Sequence, residues 1–244
     1  MYKMNSNITQ LALDFPHRPS LGREDFLVAK CNYEASSLID QWPNWAYFAL
    51  CIYGPSGCGK SHLANVFAAN YATLTNHPYR IPFIRAEQLT LDKSHQIAES
   101  NNCIVIEDLE KLKNEEALFH LYNMIRDEGG HILFTSQDAP ARLHFKLPDL
   151  RSRLNIVPIA EIKAPDDELL SALLVKLFMD RQITPSPEII NYMLSNMQRS
   201  FKFARELVQE IDNISLARKR AISIPIIKEA INSLEQEPLQ KSLF

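Results

Sequence analysis

The run GPSGCGKS, residues 54–61, constrains the fold of this chain more than any other feature. It fits the pattern GxxxxGK[ST], follows the apolar and aromatic run 47–53, and precedes apolar residues at helical spacing. In such a strand–loop–helix context the glycines let successive backbone N–H groups face inward at a helix N-terminus, where they bind phosphate. The sequence therefore predicts a nucleotide phosphate site (a P-loop) at the end of a buried parallel strand.

The residue types of the run have predicted roles. Gly54 permits a sharp exit from the strand, and Gly57 and Gly59 allow the backbone to curl around the phosphates. Lys60 reaches the β and γ phosphates, and the Ser61 hydroxyl ligates Mg²⁺. The residues predicted to contact the nucleotide are Gly54, Pro55, Ser56, Gly57, Cys58, Gly59, Lys60, Ser61 and the following His62.

Cys58, inside this loop, is open to two interpretations. It is either a small filler of the core or a thiol whose pKa is lowered at a helix N-terminus, in which case bound nucleotide protects it from alkylation. The chain has four cysteines without a CxxC pair, which gives no support for zinc and is typical of reduced thiols in a cytosol.

Polar side chains follow two further apolar segments. Glu107 and Asp108 directly follow the run 103–106. We predict that Glu107 holds Mg²⁺ through a water molecule and that Asp108 polarises the attacking water. The alternative is an acidic strand end that is simply exposed to solvent. Ser136 follows the run 131–135 and is predicted to contact the γ phosphate or that water. An ordinary strand end explains Ser136 as well.

The hydrophobic pattern predicts an α/β domain followed by a small all-helical domain. Strands are predicted at 47–53, 80–85, 103–107, 131–135 and 155–159, with helices at 60–73 and 114–128. This alternation favours a parallel sheet flanked by helices. Four further helices follow Pro165, at 166–181, 187–197, 201–217 and 224–234, and Asp166 and Ser186 are predicted N-caps.

Four parts of the chain are predicted: an N-terminal peptide and linker at 1–23, the α/β domain at 24–164, the helical lid at 165–236 and a tail at 237–244. The formal net charge of −3 offers no bulk attraction to nucleic acid. The N-terminal apolar stretch is too short for a membrane span and lacks the features of a secretory signal.

Arg151 and Arg153 lie between the last predicted strand and the strand before it. At spacing i and i+2 they do not share a helix face, so one can pack locally while the other projects outward. An arginine offered to the γ phosphate of a neighbouring subunit would be an arginine finger. An exposed arginine in a salt bridge is the alternative.

This order of motifs resembles an AAA+ ATPase, and more narrowly the DnaA/Hda family of bacterial replication proteins. The resemblance covers about residues 24–234 and rests on FLVAKCN (26–32), IYGPSGCGKSHL (52–63), LRSRL (150–154) and FAREL (203–207). It implies that 26–32 shape an adenine pocket, that Arg153 is the finger, and that Arg205 of the lid senses the nucleotide. The implied cofactors are ATP or ADP with Mg²⁺.

The resemblance also implies a function. A protein of this kind would be a cytoplasmic regulator of the Hda type, which promotes hydrolysis of the ATP bound to the initiator DnaA and limits re-initiation. Because the chain ends soon after the lid, we expect no sequence-specific DNA binding through a helix-turn-helix domain. Glu107 stands where the family usually has Asp, so we expect weak intrinsic hydrolysis. We also expect that the protein can form a homo-oligomer and that it does not contact a membrane.

The N-terminal segment ITQLALDF, residues 8–15, resembles a peptide that binds the DNA polymerase III sliding clamp (β subunit). Gln10 would give a polar anchor, while Leu11, Leu13 and Phe15 would fill an apolar pocket. An edge strand is the alternative. The terminal QKSLF, residues 240–244, fits a similar pattern and would be a second clamp contact, or a tail that matches by chance.

Two rival functions remain open at this point. A stand-alone ATPase would show high turnover without a partner. A DNA-associated helicase loader would need a basic path, and the one dense basic cluster, residues 218–220, is better explained as a helix C-terminal cap.

Overall fold

The computed structural model describes residue 23, residues 26–75 and residues 81–240, with side chains to residue 235. The N-terminal peptide 10–15 and residues 241–244 of the second peptide lie outside the described residues. The strands are β1 (Ala49–Tyr53), β2 (Phe83–Arg85), β3 (Cys103–Glu107), β4 (His131–Ser136) and β5 (Ile159–Glu161). Between and before them lie α1 (Tyr33–Asp40), α2 (Lys60–Thr75), α3 (Leu91–Ser100), α4 (Glu115–Asp127) and α5 (Pro148–Asn155).

The five strands form one parallel sheet, as predicted. Their order is β2-β3-β4-β1-β5, so β4 lies between β1 and β3. Because the strands are parallel, the carboxyl ends of these three central strands meet at one edge of the sheet. That edge brings the P-loop, Glu107 and Ser136 together although they are distant in the sequence.

Both faces of the sheet are covered by helices. Side chains alternate between the faces along each strand, so Ile104 and Ile106 pack on the side of α4, while Val105 packs on the side of α2. The interior strands β1, β3 and β4 are almost wholly buried, which explains why they read as continuous apolar runs.

Parts of this domain were not predicted correctly from the sequence. The strand predicted at 155–159 is wrong over most of its length, because α5 extends to Asn155 and β5 begins only at Ile159. Leu150 and Leu154 are both buried on one face of α5, and Pro148 stands in its first turn. The helices α1 and α3 were also not predicted.

The remaining helices, α6 (Asp167–Met179), α7 (Pro187–Asn196), α8 (Phe201–Arg218) and α9 (Ile224–Gln240), share a core of their own. Asp166 and Ser186 are N-caps, as predicted: their side-chain oxygens accept hydrogen bonds from the N–H groups of Leu169 at 2.9 Å and Ile189 at 3.4 Å. Cys31 also lies in this core, so the segment 26–32 packs against the helical domain. Among the described residues, no helix is both long and apolar enough to cross a membrane.

We expect His131 to make the fold sensitive to acid. Its ring packs against Trp42 and Trp45, with centroids 5.7 and 6.0 Å apart, and burial lowers its pKa below the ordinary value. The unfolded chain therefore binds the proton more readily, so the free energy of unfolding falls as the pH drops below about 6.5. Urea unfolding of His131→Gln between about pH 7.5 and about pH 5 should show a flatter dependence than the native chain. The exposed His144→Gln is the control, and an equal flattening there would contradict the assignment.

Candidate nucleotide-binding site

The P-loop joins β1 to α2 in a backbone conformation that glycine alone fits without strain. Gly54 has φ +154°, and a Cβ there would lie 2.0 Å from the carbonyl oxygen of Ile162. Gly57 has φ +75°, and a Cβ there would lie 2.5 Å from the hydroxyl oxygen of Ser200. The loop is thus fitted between the start of the linker after β5 and the beginning of α8.

Lys60 and Ser61 open α2 and face the edge of the sheet. Lys60 is 8% exposed, and its ammonium group donates hydrogen bonds to the carbonyl oxygens of Gly54 at 2.7 Å and Pro55 at 3.0 Å. The Ser61 hydroxyl donates to a carboxylate oxygen of Glu107 at 2.7 Å. A hydroxyl and a carboxylate are oxygen ligands suited to Mg²⁺, which keeps waters and takes phosphate oxygens for the rest of its shell. These two residues therefore fit the predicted metal position.

Asp108 lies beside Glu107 at the end of β3, as predicted, but its carboxylate is already engaged. The residue has φ +57°, and Lys111 Nζ lies 2.9 Å from its Oδ2. The Asp108 backbone N–H donates to the Thr135 hydroxyl at 3.3 Å. The salt bridge raises the pKa of Lys111 and competes with any water for the Asp108 oxygens.

Ser136, at the end of β4, is buried. Its carbonyl oxygen accepts the Gly54 N–H at 3.1 Å, which joins the end of β4 to the start of the P-loop. Its hydroxyl donates to Glu110 Oε2 at 3.2 Å, and the Gln137 N–H donates to the same oxygen at 3.1 Å. Sequence reasoning missed Glu110, although it stands three residues after Glu107 in the acidic run.

A narrow cleft lies between the two domains next to the P-loop. Asn32 is 1% exposed and braces the segment along it: its side-chain NH₂ donates to the Leu27 carbonyl at 2.9 Å, and its oxygen accepts the Ala29 N–H at 2.8 Å. The residues that line the cleft are Phe26, Leu27, Gly59, His62, Leu173, Phe201 and Arg205.

Aromatic rings line the cleft. The Phe26 ring meets the His62 ring edge to face, with centroids 5.2 Å apart, and Gly59 lies beside the rings of Phe26 and Phe201. The structure thus brings Arg205 and His62 together with the P-loop. Leu173 and Phe201 of the cleft were missed, because their contribution depends on how the helical domain docks.

The helical domain is tied directly to the P-loop. The Gly57 carbonyl oxygen accepts hydrogen bonds from the N–H groups of Phe201 at 3.0 Å and Lys202 at 3.4 Å, in the first turn of α8. Ser200 caps the same helix by accepting the Phe203 N–H at 3.0 Å. The P-loop backbone is therefore in direct contact with the helix that carries Arg205.

Cys58 is 1% exposed and belongs to the core on the α2 side of the sheet. Burial raises the pKa of its thiol, and the nearby Lys60 ammonium offsets this only in part. The interpretation of a thiol with a lowered pKa is therefore wrong, and Cys58 is a small core filler.

Arg153 lies apart from this site, on the surface formed by α4 and α5. Its Nε donates to the Asn123 side-chain oxygen at 2.9 Å, and its guanidinium carbon lies 4.6 Å from the centroid of the Phe119 ring. Within the described part of the chain, no carboxylate forms an ion pair with it. Arg151, two residues earlier, is exposed.

Three known proteins place this site in context. The chain is 24% identical over 234 residues to the chromosomal replication initiator protein DnaA of Clavibacter sepedonicus, and the match covers 88% of this chain and 49% of that protein. This chain thus spans about half the length of that curated relative. Domain III of DnaA from Thermotoga maritima superposes with a TM-score of 0.73 at 21% identity, covering 88% of this chain and 97% of that one.

A third similar structure is DnaA from Aquifex aeolicus bound to AMPPCP, an adenine nucleotide. It has a TM-score of 0.68 at 18% identity, covering 91% of this chain and 71% of that one. At this identity the two structures establish the shared AAA+ fold. The family models are more specific: that of the bacterial DnaA ATPase domain matches residues 22–158, and that of the Hda lid domain matches residues 166–231. The chain therefore belongs to the family of bacterial DnaA ATPase domains and carries a lid of the Hda type.

Proposed function

We propose that this protein is a regulator of chromosomal replication that acts on the initiator DnaA. In this proposal it holds ATP or ADP with Mg²⁺ at the P-loop, binds the polymerase sliding clamp through its N-terminal peptide, and supplies Arg153 to the ATP of a neighbouring DnaA molecule. Hydrolysis of that ATP would limit re-initiation. The protein would work in the bacterial cytoplasm, at the replication machinery.

The environment of Arg153 is the observation that carries the proposal. The guanidinium of Arg153 is held in place by a neutral amide oxygen and an aromatic face. Its positive charge is therefore not compensated within the described residues. A γ phosphate in a neighbouring protein would supply that charge, which is the task of an arginine finger acting in trans.

The contacts around the chain's own P-loop support a regulator with weak intrinsic hydrolysis over a stand-alone ATPase. The Asp108 carboxylate is bound to Lys111, and the Ser136 hydroxyl is bound to Glu110. In this proposal the two contacts compete with a water at a bound γ phosphate and so keep hydrolysis slow. The nucleotide in this site would then serve to order the P-loop and the lid.

The basic cluster 218–220 gives little support to a helicase loader. Arg218 pairs with Glu229 of α9, and Lys219 is the left-handed residue that ends α8. One of the three cations is therefore already paired with a carboxylate. A phosphate path along DNA needs several cations free to bind.

The clamp contact is tested by replacing Gln10, Leu13 and Phe15 with Ala. We expect the variant to bind the purified clamp at least about tenfold more weakly, since burying one Leu and one Phe contributes roughly 1.5–3 kcal/mol each before ordering costs. In a mixture of ATP-loaded DnaA and clamp on DNA, ATP hydrolysis should also be slower with the variant than with the native chain. The reason is that binding to the clamp raises the local concentration of the native chain near DnaA. Calorimetry and phosphate release measure the two effects.

A variant truncated after Leu239, which removes residues 240–244, tests the terminal QKSLF motif. If that peptide is a second contact, truncation weakens clamp binding as well; unchanged affinity dismisses it. Equal clamp binding by the native chain and the triple variant would remove the clamp from the proposal and leave the role of Arg153 to be judged separately.

A further inference from the structure

Two histidines outside the nucleotide site face each other across neighbouring helices. His95 lies on α3 and His120 on α4, and both side chains are exposed. Their ring centroids are 6.5 Å apart, with an angle of 30° between the ring planes. Neither residue belongs to the P-loop or lines the cleft. We call these two residues the histidine pair.

The two helices that carry the histidine pair are packed closely through small side chains. Ser94, Ala98 and Ala117 are fully buried, and the Ser94 hydroxyl lies 2.9 Å from the carbonyl oxygen of Ala117. Ser94 directly precedes His95, and Ala117 lies about one turn before His120. This contact therefore fixes the backbones of the two histidines relative to each other. Ligands on two rigid elements lose less conformational freedom when they bind an ion.

The separation of the rings is compatible with one shared metal ion. Two imidazoles that bind an ion at about 2.1 Å place their ring centroids roughly 5–6.5 Å apart, with the larger value when they bind on opposite sides. The observed 6.5 Å lies at the upper end of this range. Opposite nitrogen ligands with water in the other positions suit the tetragonal geometry of Cu²⁺ and Ni²⁺. A tetrahedral Zn²⁺ would need the rings to approach by roughly 1 Å.

The surroundings of the histidine pair favour a cation. At the positions three and four residues away, which share a helix face with each histidine, every charged residue is acidic: Asp92, Glu99 and Glu116. All three are exposed, and their field attracts positive ions. Within the described ranges no group of three metal-ligating side chains stands together, so water would take the remaining positions.

We propose that His95 and His120 form a binding site for a divalent transition-metal ion, with Cu²⁺ and Ni²⁺ as the ions that fit best, and that the bound ion fastens α3 to α4. Imidazole nitrogen suits these ions, whereas Mg²⁺ prefers oxygen ligands. The inference does not rest on the proposed function, because neither a nucleotide nor DnaA takes part in it.

The first test is calorimetry of the full chain without nucleotide, titrated with Cu²⁺ or Ni²⁺ in excess Mg²⁺. The Mg²⁺ occupies the oxygen ligands at Ser61 and Glu107 and does not compete for imidazole. We expect tighter binding of Cu²⁺ than of Ni²⁺. His95→Gln and His120→Gln should each weaken binding at least about tenfold, since each removes one of two protein ligands. His144→Gln, which removes an exposed histidine elsewhere, is the matched control and should bind as the native chain does.

A second test measures whether the ion links the helices. At about a hundredfold excess of Ni²⁺ over its Kd, the melting temperature of the native chain should rise by about 5–10 °C, and a chelator should reverse the rise. The rise should be absent in His95→Gln and in His120→Gln. Without metal both variants should melt close to the native chain, because the replaced side chains are exposed, so a folding defect does not imitate the loss.

A third measurement locates the ion. Cu²⁺ is paramagnetic and broadens the backbone N–H signals of nearby residues, so broadening should be centred on α3 and α4 around the histidine pair. Binding that survives either His→Gln replacement, or broadening centred on the P-loop or on another part of the chain, would overturn the inference. Loss of binding in both variants, with broadening confined to α3 and α4 in the native chain, supports it. Neither outcome changes the proposed function, because the role of Arg153 is measured separately.

Discussion

Replacing Arg153 with Ala is expected to abolish the stimulation of ATP hydrolysis on DnaA, with a loss of about 10³-fold or more. An arginine supplied in trans stabilises the charge that develops on the transferred phosphoryl group, and its removal has effects of this size in other nucleotide hydrolases. The measurement is phosphate release from ATP-loaded DnaA at saturating protein and clamp. Binding of nucleotide to the variant itself should not change, because the Arg153 side chain contacts Asn123 and Phe119 of α4 and not the P-loop.

The chain provides a matched control two residues away. Arg151 has the same charge and is exposed on the same helix, but it cannot share a face with Arg153 at this spacing. Arg151→Ala should therefore retain most of the stimulated rate. Equal losses in both variants would indicate a general electrostatic contact with DnaA, and no loss in either would rule out a finger on α5.

The parts of the fold that could be predicted from the sequence are those specified by local patterns. The P-loop has fixed residue types at fixed spacing, and the buried strands β1, β3 and β4 are short apolar runs bounded by turns. The helix α3 was missed because its sequence is mostly polar and only Ser94 and Ala98 are buried. Such a helix is stabilised by its packing against α4, which no local pattern records.

The contacts of the candidate site also fall into those that the sequence could predict and those that it could not. The position of Glu107 next to Ser61 follows from parallel topology, since both stand at carboxyl ends of strands or just beyond them. The partners that modify the predicted roles could not be foreseen. Glu110 meets Ser136 across 26 positions and Asn123 meets Arg153 across 30, and each pairing depends on how a turn or a helix docks against its neighbour.

Two contacts make the P-loop a structural junction as well as a phosphate site. Its first glycine packs against the carbonyl of Ile162 just after β5, and its middle glycine receives the first amides of α8. The lid is therefore anchored to the middle of the loop through α8, while the start of the loop packs against the linker after β5. Substitutions in this loop should change the stability of the whole chain, beyond their effect on nucleotide affinity.

Gly54→Ala is expected to lower the free energy of unfolding by roughly 3 kcal/mol or more, with loss of nucleotide binding. The added methyl would lie 2.0 Å from the Ile162 carbonyl oxygen, and 3.1 Å from the Cys58 sulfur, so the backbone after β5 must move. The Ile162 carbonyl belongs to the backbone, so a change of rotamer cannot relieve this clash. Urea unfolding of the isolated protein, with and without ATP, measures both effects.

Gly129→Ala is the control that has the backbone strain of a positive φ but no clash. Gly129 has φ +71°, but a Cβ there meets nothing within 4 Å, so the cost is limited to the left-handed conformation, about 1–2 kcal/mol. Nucleotide affinity should be unchanged in this variant, because the turn after α4 is remote from the P-loop. If Gly54→Ala were no more destabilising than Gly129→Ala, the close approach of Ile162 would carry no energetic weight. The junction between the loop and the linker would then be a contact without a structural role.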